Sequence, residues 1–82
     1  MKILLSLAFL VSFMFASVDI NKADVKELST LKGIGTSKAK LIVQYREEHC
    51  FKNTEELKNV KGIGSKTIEK NRDDLSVGKC KD

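Results

Sequence analysis

The sequence predicts an all-α fold made of two copies of a unit that consists of a helix, a tight glycine turn and a second helix. The first observation is a repeat, because Lys32–Thr36 (Lys-Gly-Ile-Gly-Thr) recurs 29 positions later as Lys61–Ser65 (Lys-Gly-Ile-Gly-Ser). The second is the helical spacing of apolar residues around each copy. The third is the lack of proline and of any convincing strand pattern. Such repeats indicate two units packed as one small domain, because neither can bury its apolar face alone.

The first 17 residues are predicted to form a secretory signal peptide. Lys2 supplies a positive start, an apolar run covers residues 3–15, and Ala16 and Ser17 are small residues suited to cleavage. The apolar run is shorter than the ~20 residues that a membrane-spanning helix needs. The residue three positions before the cleavage site is large, so an uncleaved N-terminal anchor remains the alternative. We therefore expect an exported protein whose folded domain covers residues 18–82.

Capping signals locate the helices within this domain. Asp24 with Glu27 three residues later has the form of a capping box, and Asn53 with Glu56 repeats it. Gly33 is expected to end the first helix. The predicted helices cover residues 25–31, 37–48, 54–60 and 66–73, and the residues from 78 onward are expected to form a polar tail.

Three side chains near the end of the second helix have predicted structural roles. Tyr45 is expected at the edge of the core rather than as a platform on which bases stack. Phe51 is expected to fill the core. Arg46 lies a full helix away from the glycine turn and is expected to pair with an acidic neighbour.

The glycine turns are the candidate binding site. Gly33 suits a helix end with positive φ, and Gly35 lets the backbone lie close to a ligand, while Ile34 between them is expected to point into the core. The first N–H groups of the next helix lack partners within it and favour an anion, above all phosphate. Lys38 and Lys66 would be unfavourable in these first turns unless an anion binds there. The candidate residues are Lys32, Gly33, Ile34, Gly35, Thr36, Ser37, Lys38, Lys61, Gly62, Ile63, Gly64, Ser65 and Lys66.

Cys50 and Cys80 are predicted to form a disulfide. A domain of this size has a marginal core, and an oxidising compartment permits such a staple. Closing a loop of about 30 residues would add roughly 3–4 kcal/mol in the chain-entropy description. Two free thiols are the alternative. His49 lacks the further ligands that a metal site needs, and no catalytic group of residues is present, so we expect a non-enzymatic protein without cofactors.

The two turns resemble paired helix-hairpin-helix motifs, written (HhH)2, and the whole domain is similar to ComEA-type competence DNA-binding proteins. This resemblance implies an exported protein that binds double-stranded DNA without sequence preference and assists DNA uptake in natural transformation. Components of an uptake pore or pilus are the further partners implied. The residues that carry the resemblance include Leu28, Leu31, Gly33, Ile34 and Gly35 in the first copy and Leu57, Val60, Gly62, Ile63 and Gly64 in the second.

Departures from the family pattern add charge and cysteine. Lys32 and Lys61 stand where related sequences often have proline, and Cys50 stands where glycine is usual, so the resemblance does not imply the disulfide. The leader is followed by the domain without a long linker, which resembles the short periplasmic members of the family and implies a periplasmic protein. Contact with a membrane is expected only through an uncleaved leader.

The overall charge and the turns leave two other functions open. Without Lys2 the chain has 14 basic and 11 acidic side chains, a net charge of +3 that fits weak steering toward a polyanion. The first alternative is a structural or protein-interaction subunit of an exported complex, like the small extrinsic subunit of photosystem II, although the lysines at the turns count against it. The second is an accessory module of a nuclease or repair enzyme, against which the leader argues.

Overall fold

The computed structural model describes residues 17–80, so the predicted signal peptide lies outside the described residues apart from Ser17. The described chain is mostly helical. Its elements are, in order, β1 (Val18–Asp19), α1 (Val25–Leu28), α2 (Thr36–Glu48), a first 3₁₀ helix (Thr54–Asn59), α3 (Ser65–Asn71), a second 3₁₀ helix (Arg72–Asp74) and β2 (Leu75–Ser76).

The prediction that no strand is present is wrong, because the two ends of the domain form a short parallel sheet. Val18 aligns with Leu75 and Asp19 with Ser76. The N–H of Ile20 donates to the Ser76 carbonyl at 3.0 Å and extends the pairing. Two residues are too few for the alternating apolar pattern by which a strand is predicted from sequence.

The helices before the two turns are shorter or tighter than predicted. α1 ends at Leu28 rather than at residue 31, and the chain continues with bonds of the 3₁₀ type from Thr30 N to Glu27 O and from Leu31 N to Leu28 O. The Thr30 hydroxyl donates to the same Glu27 carbonyl at 2.6 Å, a side-chain bond that competes with the helical ladder. The predicted third helix is the first 3₁₀ helix. A pattern six residues long does not distinguish it from an α-helix.

The core lies between the two repeats and contains both turn isoleucines. Ile34 and Ile63 are 2% and 5% exposed, which confirms that the turns point their apolar side chains inward. Phe51 is fully buried, as predicted, and the half-buried Tyr45 ring stacks on it with centroids 5.2 Å apart. The other buried apolar residues are Ile20, Ala23, Leu28, Leu31, Ala39, Ile42, Leu57, Val60 and Ile68.

Asn21 joins the two ends of the domain to its centre. Its Nδ2 donates to the carbonyls of Phe51, at 2.8 Å, and Gly78, at 3.0 Å, and its Oδ1 accepts from Phe51 N at 2.9 Å. Asp19 Oδ1 also accepts from Gly78 N at 3.0 Å. The predicted polar tail thus begins at a residue fixed to the domain, because both backbone polar groups of Gly78 are hydrogen-bonded.

The structure joins Cys50 to Cys80 in a disulfide, with Cα atoms 5.6 Å apart and 30 positions between them in sequence. Cys50 directly follows His49, the C-terminal cap of α2. The bridge thus attaches the end of the described chain to the end of the longest helix.

Arg46 bonds to backbone rather than to an acidic side chain, so that prediction is wrong. Among the described residues, its Nη1 donates to the carbonyls of Ile20 at 3.1 Å and Ala23 at 2.7 Å. These carbonyls lie in the irregular segment between β1 and α1. The arginine therefore attaches that segment to α2, a contact between distant parts of the chain that helical spacing does not reveal.

Arg72 forms the ion pairs of the second repeat. Its Nη2 lies 2.7 Å from Glu55 Oε2 and 2.6 Å from Glu69 Oε2. The hydrogen bond from Arg72, and then its charge, lower the pKa of the Glu69 carboxyl. Between Ser17 and Cys80, no helix is both long enough and apolar enough to cross a membrane.

Candidate functional site

The two glycine turns share one backbone geometry at their first glycine. Gly33 has φ +75° and Gly62 has φ +89°, both in the left-handed region that glycine tolerates. The N–H of the following isoleucine donates back across each turn, from Ile34 to the Leu31 carbonyl at 3.2 Å and from Ile63 to the Val60 carbonyl at 3.1 Å. The first glycine of each copy is therefore required by the fold itself, as the sequence predicted.

The second glycine of each turn faces open space. Apart from the glycine and the residues next to it in the chain, no atom would lie within 4 Å of a Cβ built on Gly35 or on Gly64. Gly35 has φ +26°, which disfavours other residues, but Gly64 has φ −118° and ψ −178°, an extended backbone that any residue adopts. Neither packing nor backbone conformation within the described chain therefore requires glycine at position 64.

The helices that follow the turns lack side-chain caps, whereas the helices before them have caps. Asp24 Oδ1 accepts from Glu27 N at 2.8 Å in the predicted capping box, and Asn53 Oδ1 accepts from Glu56 N at 3.1 Å. In residues 17–80 no side chain caps α2 or α3, and neither first turn contains an acidic residue. The first amides of α2 and α3 are thus left without a side-chain acceptor and suit an external anion.

Of the predicted site residues, two are buried, one is half-buried and the others are exposed. Ile34 and Ile63 are buried, so only their backbones could reach a ligand. Lys38 is half-buried, and its Nζ donates to the Gly33 carbonyl at 3.4 Å. The exposed members are Lys32, Gly33, Gly35, Thr36, Ser37, Lys61, Gly62, Gly64, Ser65 and Lys66.

Each turn contacts the helix that follows the other turn. A Cβ built on Gly33 would lie 3.8 Å from Thr67 Cγ2 and Oγ1, and one built on Gly62 would lie 3.2 Å from Lys38 Cε. Lys38 and Thr67 occupy the same position in the two repeats, since they are 29 residues apart. Corresponding residues of the two repeats thus lie against the first glycine of the opposite turn.

Comparison with known proteins identifies the family. The family described as "Helix-hairpin-helix motif" matches residues 15–76. The chain belongs to the helix-hairpin-helix family. It is similar to an uncharacterized protein of Haemophilus influenzae, at 53% identity over 58 residues, which cover 68% of this chain and 52% of that protein.

A second relative agrees with the resemblance seen in the sequence. ComE operon protein 1 of Bacillus subtilis is 43% identical over 63 residues, which cover 76% of this chain and 31% of that protein. The chain therefore carries a ComEA-like helix-hairpin-helix domain and spans about half of the first relative and a third of the second. A kinesin-like protein of Xenopus laevis, KIF22-B, is 48% identical over 50 residues, only 8% of its length, so the motif also occurs in much larger proteins.

Sequence reasoning missed one residue that holds this helix-hairpin-helix site together. Asn71, at the end of α3, is 2% exposed. Its Oδ1 accepts from Lys32 N at 2.8 Å, and its Nδ2 donates to the carbonyls of Lys32 at 2.8 Å and Thr67 at 2.9 Å. The signal available in the sequence was the register of the repeat, because Asn71 stands where the first copy has the buried Ile42.

Proposed function

We propose that this protein binds double-stranded DNA without sequence preference and contacts its phosphates through the two glycine turns. The observation that carries the proposal is Gly64. Its conformation and its open surroundings give the folded chain no reason of its own for glycine there. A ligand whose backbone approaches the turn closely supplies that reason, because a side chain at this position would hold the ligand away.

The chemistry of the turns favours phosphate over other ligands. Uncapped amides at the start of α2 and α3 offer N–H donors at the positive end of a helix dipole. The exposed Lys32, Lys61 and Lys66 add positive charge around them. Free amides beside lysines, in first helical turns that contain no acidic residue, favour an oxyanion.

The reciprocal contacts support binding of one duplex by both turns. Gly33 lies against Thr67 while Gly62 lies against Lys38, which suggests packing of the two motifs about a pseudo-twofold axis. Both turns would then lie on one side of the domain, each meeting a phosphate of a different strand across a groove. With three to five phosphate contacts, the logarithm of the affinity falls with the logarithm of the salt concentration at a slope of roughly −3 to −4.5.

The absence of sequence preference follows from what the turns expose. Their exposed side chains are lysines and small hydroxyl residues, which position a protein on the DNA backbone, whereas sequence is read by contacts to base edges. The Tyr45 ring is stacked on Phe51 rather than free for a base. We propose a binding role without catalysis.

The biological setting proposed is DNA uptake outside the cytoplasm during natural transformation. It is supported by the likeness to ComE operon protein 1 and by the signal-peptide pattern in the first 17 residues. Determining the N-terminal residue of the mature protein, together with the cell compartment in which it accumulates, tests export. Recovery of the uncleaved chain in the cytoplasm would contradict this part of the proposal.

The substitution Gly64→Val tests the DNA-binding proposal. Binding to two duplexes of unrelated sequence is measured by fluorescence anisotropy, with circular dichroism and thermal unfolding to check the fold. We expect affinity for both duplexes to fall about tenfold to a hundredfold, the range that loss of a hydrogen bond to a charged group implies, while the helices remain.

The control for an exposed, β-branched apolar side chain is Gln44→Val, which places valine at an exposed position of α2. It should leave affinity unchanged. Equal affinities of Gly64→Val and the unmodified protein, or a strong preference of the unmodified protein for one duplex, would contradict the proposed function. Gly35 is a less suitable position, since its φ of +26° makes a substitution strained for reasons unrelated to DNA.

A further inference from the structure

We infer that Lys38, a residue of the first repeat, completes the phosphate site of the second turn. This inference rests on the proposed DNA binding and specifies at which of the two turns Lys38 contacts a phosphate. Its position in sequence, three residues after Gly35, would assign it to the first turn. The stem of its side chain lies against the second turn, while its ammonium bonds to Gly33 of the first.

The stem of Lys38 lies along the second turn. A Cβ built on Gly62 would be 3.2 Å from Lys38 Cε and 3.8 Å from both its Cγ and its Cδ. Three carbons of the side chain therefore cover the face of Gly62. The ammonium at the end of this stem donates to the Gly33 carbonyl of the first turn, 3.4 Å from Nζ. The charge thus lies between the two turns.

Lys38 differs from the other candidate lysines in being held in place. Lys32, Lys61 and Lys66 are exposed, whereas Lys38 is half-buried with its ammonium hydrogen-bonded. Ordering a lysine side chain costs up to about 1.5–2 kcal/mol of conformational entropy. A lysine that is already ordered in the free protein avoids part of that cost when a phosphate binds, so Lys38 should contribute more to affinity than its exposed neighbours.

The two turns are therefore unequal. The residue that occupies the position of Lys38 in the second repeat is Thr67, which lies against Gly33. The first turn is contacted by a neutral hydroxyl residue of α3, while the second turn is contacted by a lysine of α2. We expect the second turn to hold its phosphate more tightly than the first.

Lys38→Met tests the charge while keeping an unbranched stem over Gly62. Duplex affinity is measured across a salt series, with Lys40→Met as the matched control, since Lys40 is exposed and lies on another face of α2. Losing one phosphate contact should make the slope of log affinity against log salt shallower by about 0.9 in Lys38→Met. Lys40→Met should change the slope by much less. Equal slopes in the two variants would overturn the inference.

A double-mutant cycle with Gly64→Val identifies the turn that Lys38 serves. If both substitutions act on one phosphate site, Lys38→Met lowers duplex affinity only slightly in a protein that already carries Gly64→Val. The two effects on binding free energy are then not additive. Additive effects would place Lys38 elsewhere and overturn the inference, although DNA binding itself would stand. Absence of duplex binding by the unmodified protein would instead refute the proposed function and this inference with it.

Thr67→Lys supplies the reverse test. It places a lysine against Gly33 in the position that Lys38 holds against Gly62. The slope of log affinity against log salt should become steeper by about 0.9, because one phosphate contact is gained. An unchanged slope in a folded Thr67→Lys protein would contradict the reciprocal arrangement on which the inference depends.

Discussion

The side-chain amide of Asn71 pairs with both backbone polar groups of Lys32, accepting from its N–H at 2.8 Å and donating to its carbonyl at 2.8 Å. Asn71 ends α3 in the second repeat, while Lys32 opens the first glycine turn. The pair therefore fixes the first turn against the last α-helix. Asn21 bonds to the N–H and carbonyl of Phe51 in the same manner, so two asparagine side chains each pair with both backbone groups of a distant residue.

Replacing Asn71 with leucine should destabilise the protein. The side chain keeps a similar volume, but the two polar groups of Lys32 lose their partner in a partly buried place. We expect the free energy of unfolding to fall by about 2–4 kcal/mol, the cost of leaving buried polar groups unpaired. Urea denaturation measures the change. The control Asn59→Leu removes only one exposed bond, to Tyr45 Oη, and a loss of the same size there would contradict the role of Asn71.

Arg46→Met should also destabilise the fold. The change preserves an apolar stem and removes the donors to the carbonyls of Ile20 and Ala23. A loss of about 1–3 kcal/mol in unfolding free energy is expected, since hydrogen bonds from a charged donor to buried acceptors are among the stronger ones. Arg72→Met is the control, and its loss should be smaller because its ion pairs are exposed to solvent. Equal losses in the two variants would show that Arg46 does not anchor the segment after β1.

The Arg72–Glu69 pair should make stability depend on pH on the acid side. Because Arg72 lowers the pKa of Glu69 in the folded state, the unfolded chain takes up the proton first as pH falls. The stabilisation is therefore fully present above the ordinary glutamate pKa of about 4.3 and is lost as pH falls through the lower pKa of the folded state. Arg72→Met should flatten this part of a plot of stability against pH. A plot with the same acid slope in both proteins would exclude the pair as a source of pH dependence.

Removing the disulfide should reduce stability but leave DNA binding intact. Replacing Cys50 and Cys80 with serine opens a loop of about 30 residues, which should cost roughly 3–4 kcal/mol in unfolding free energy. The bridge lies at the C-terminal end of α2, and the 13 residues of that helix separate it by about 20 Å from the turn at Gly35. Duplex affinity is measured at a temperature where the variant stays folded. Unchanged stability would favour two free thiols, and lost affinity in a folded variant would place the site elsewhere.

Features decided within a few residues were predicted from the sequence. The capping box at Asp24, the left-handed backbone at Gly33 and the inward isoleucine at position 34 all depend on neighbours along the chain. Glycine tolerates positive φ and aspartate caps a helix wherever the rest of the protein lies. The repeat at Lys61 then extended these local rules to the second turn.

Features that join distant residues were missed or wrongly assigned. Arg46 was assigned an acidic partner because helical spacing shows which face a residue occupies but not what packs against that face. The pairing of Val18 with Leu75 was missed because two residues form no pattern. The predicted helix over residues 66–73 gives Asn71 no special role, although its register with Ile42 marks a polar side chain at a core position.

The twin turns, their exposed lysines and their family likeness are therefore properties of the sequence, since each arises from residue types at fixed local spacing. The contact of Lys38 with Gly62, and the bonds of Asn71 to Lys32, exist only after the two repeats have packed. They join residues more than twenty positions apart, and the energy of such contacts depends on how complementary surfaces meet in space. Packing thus determines which turn the stem of Lys38 contacts.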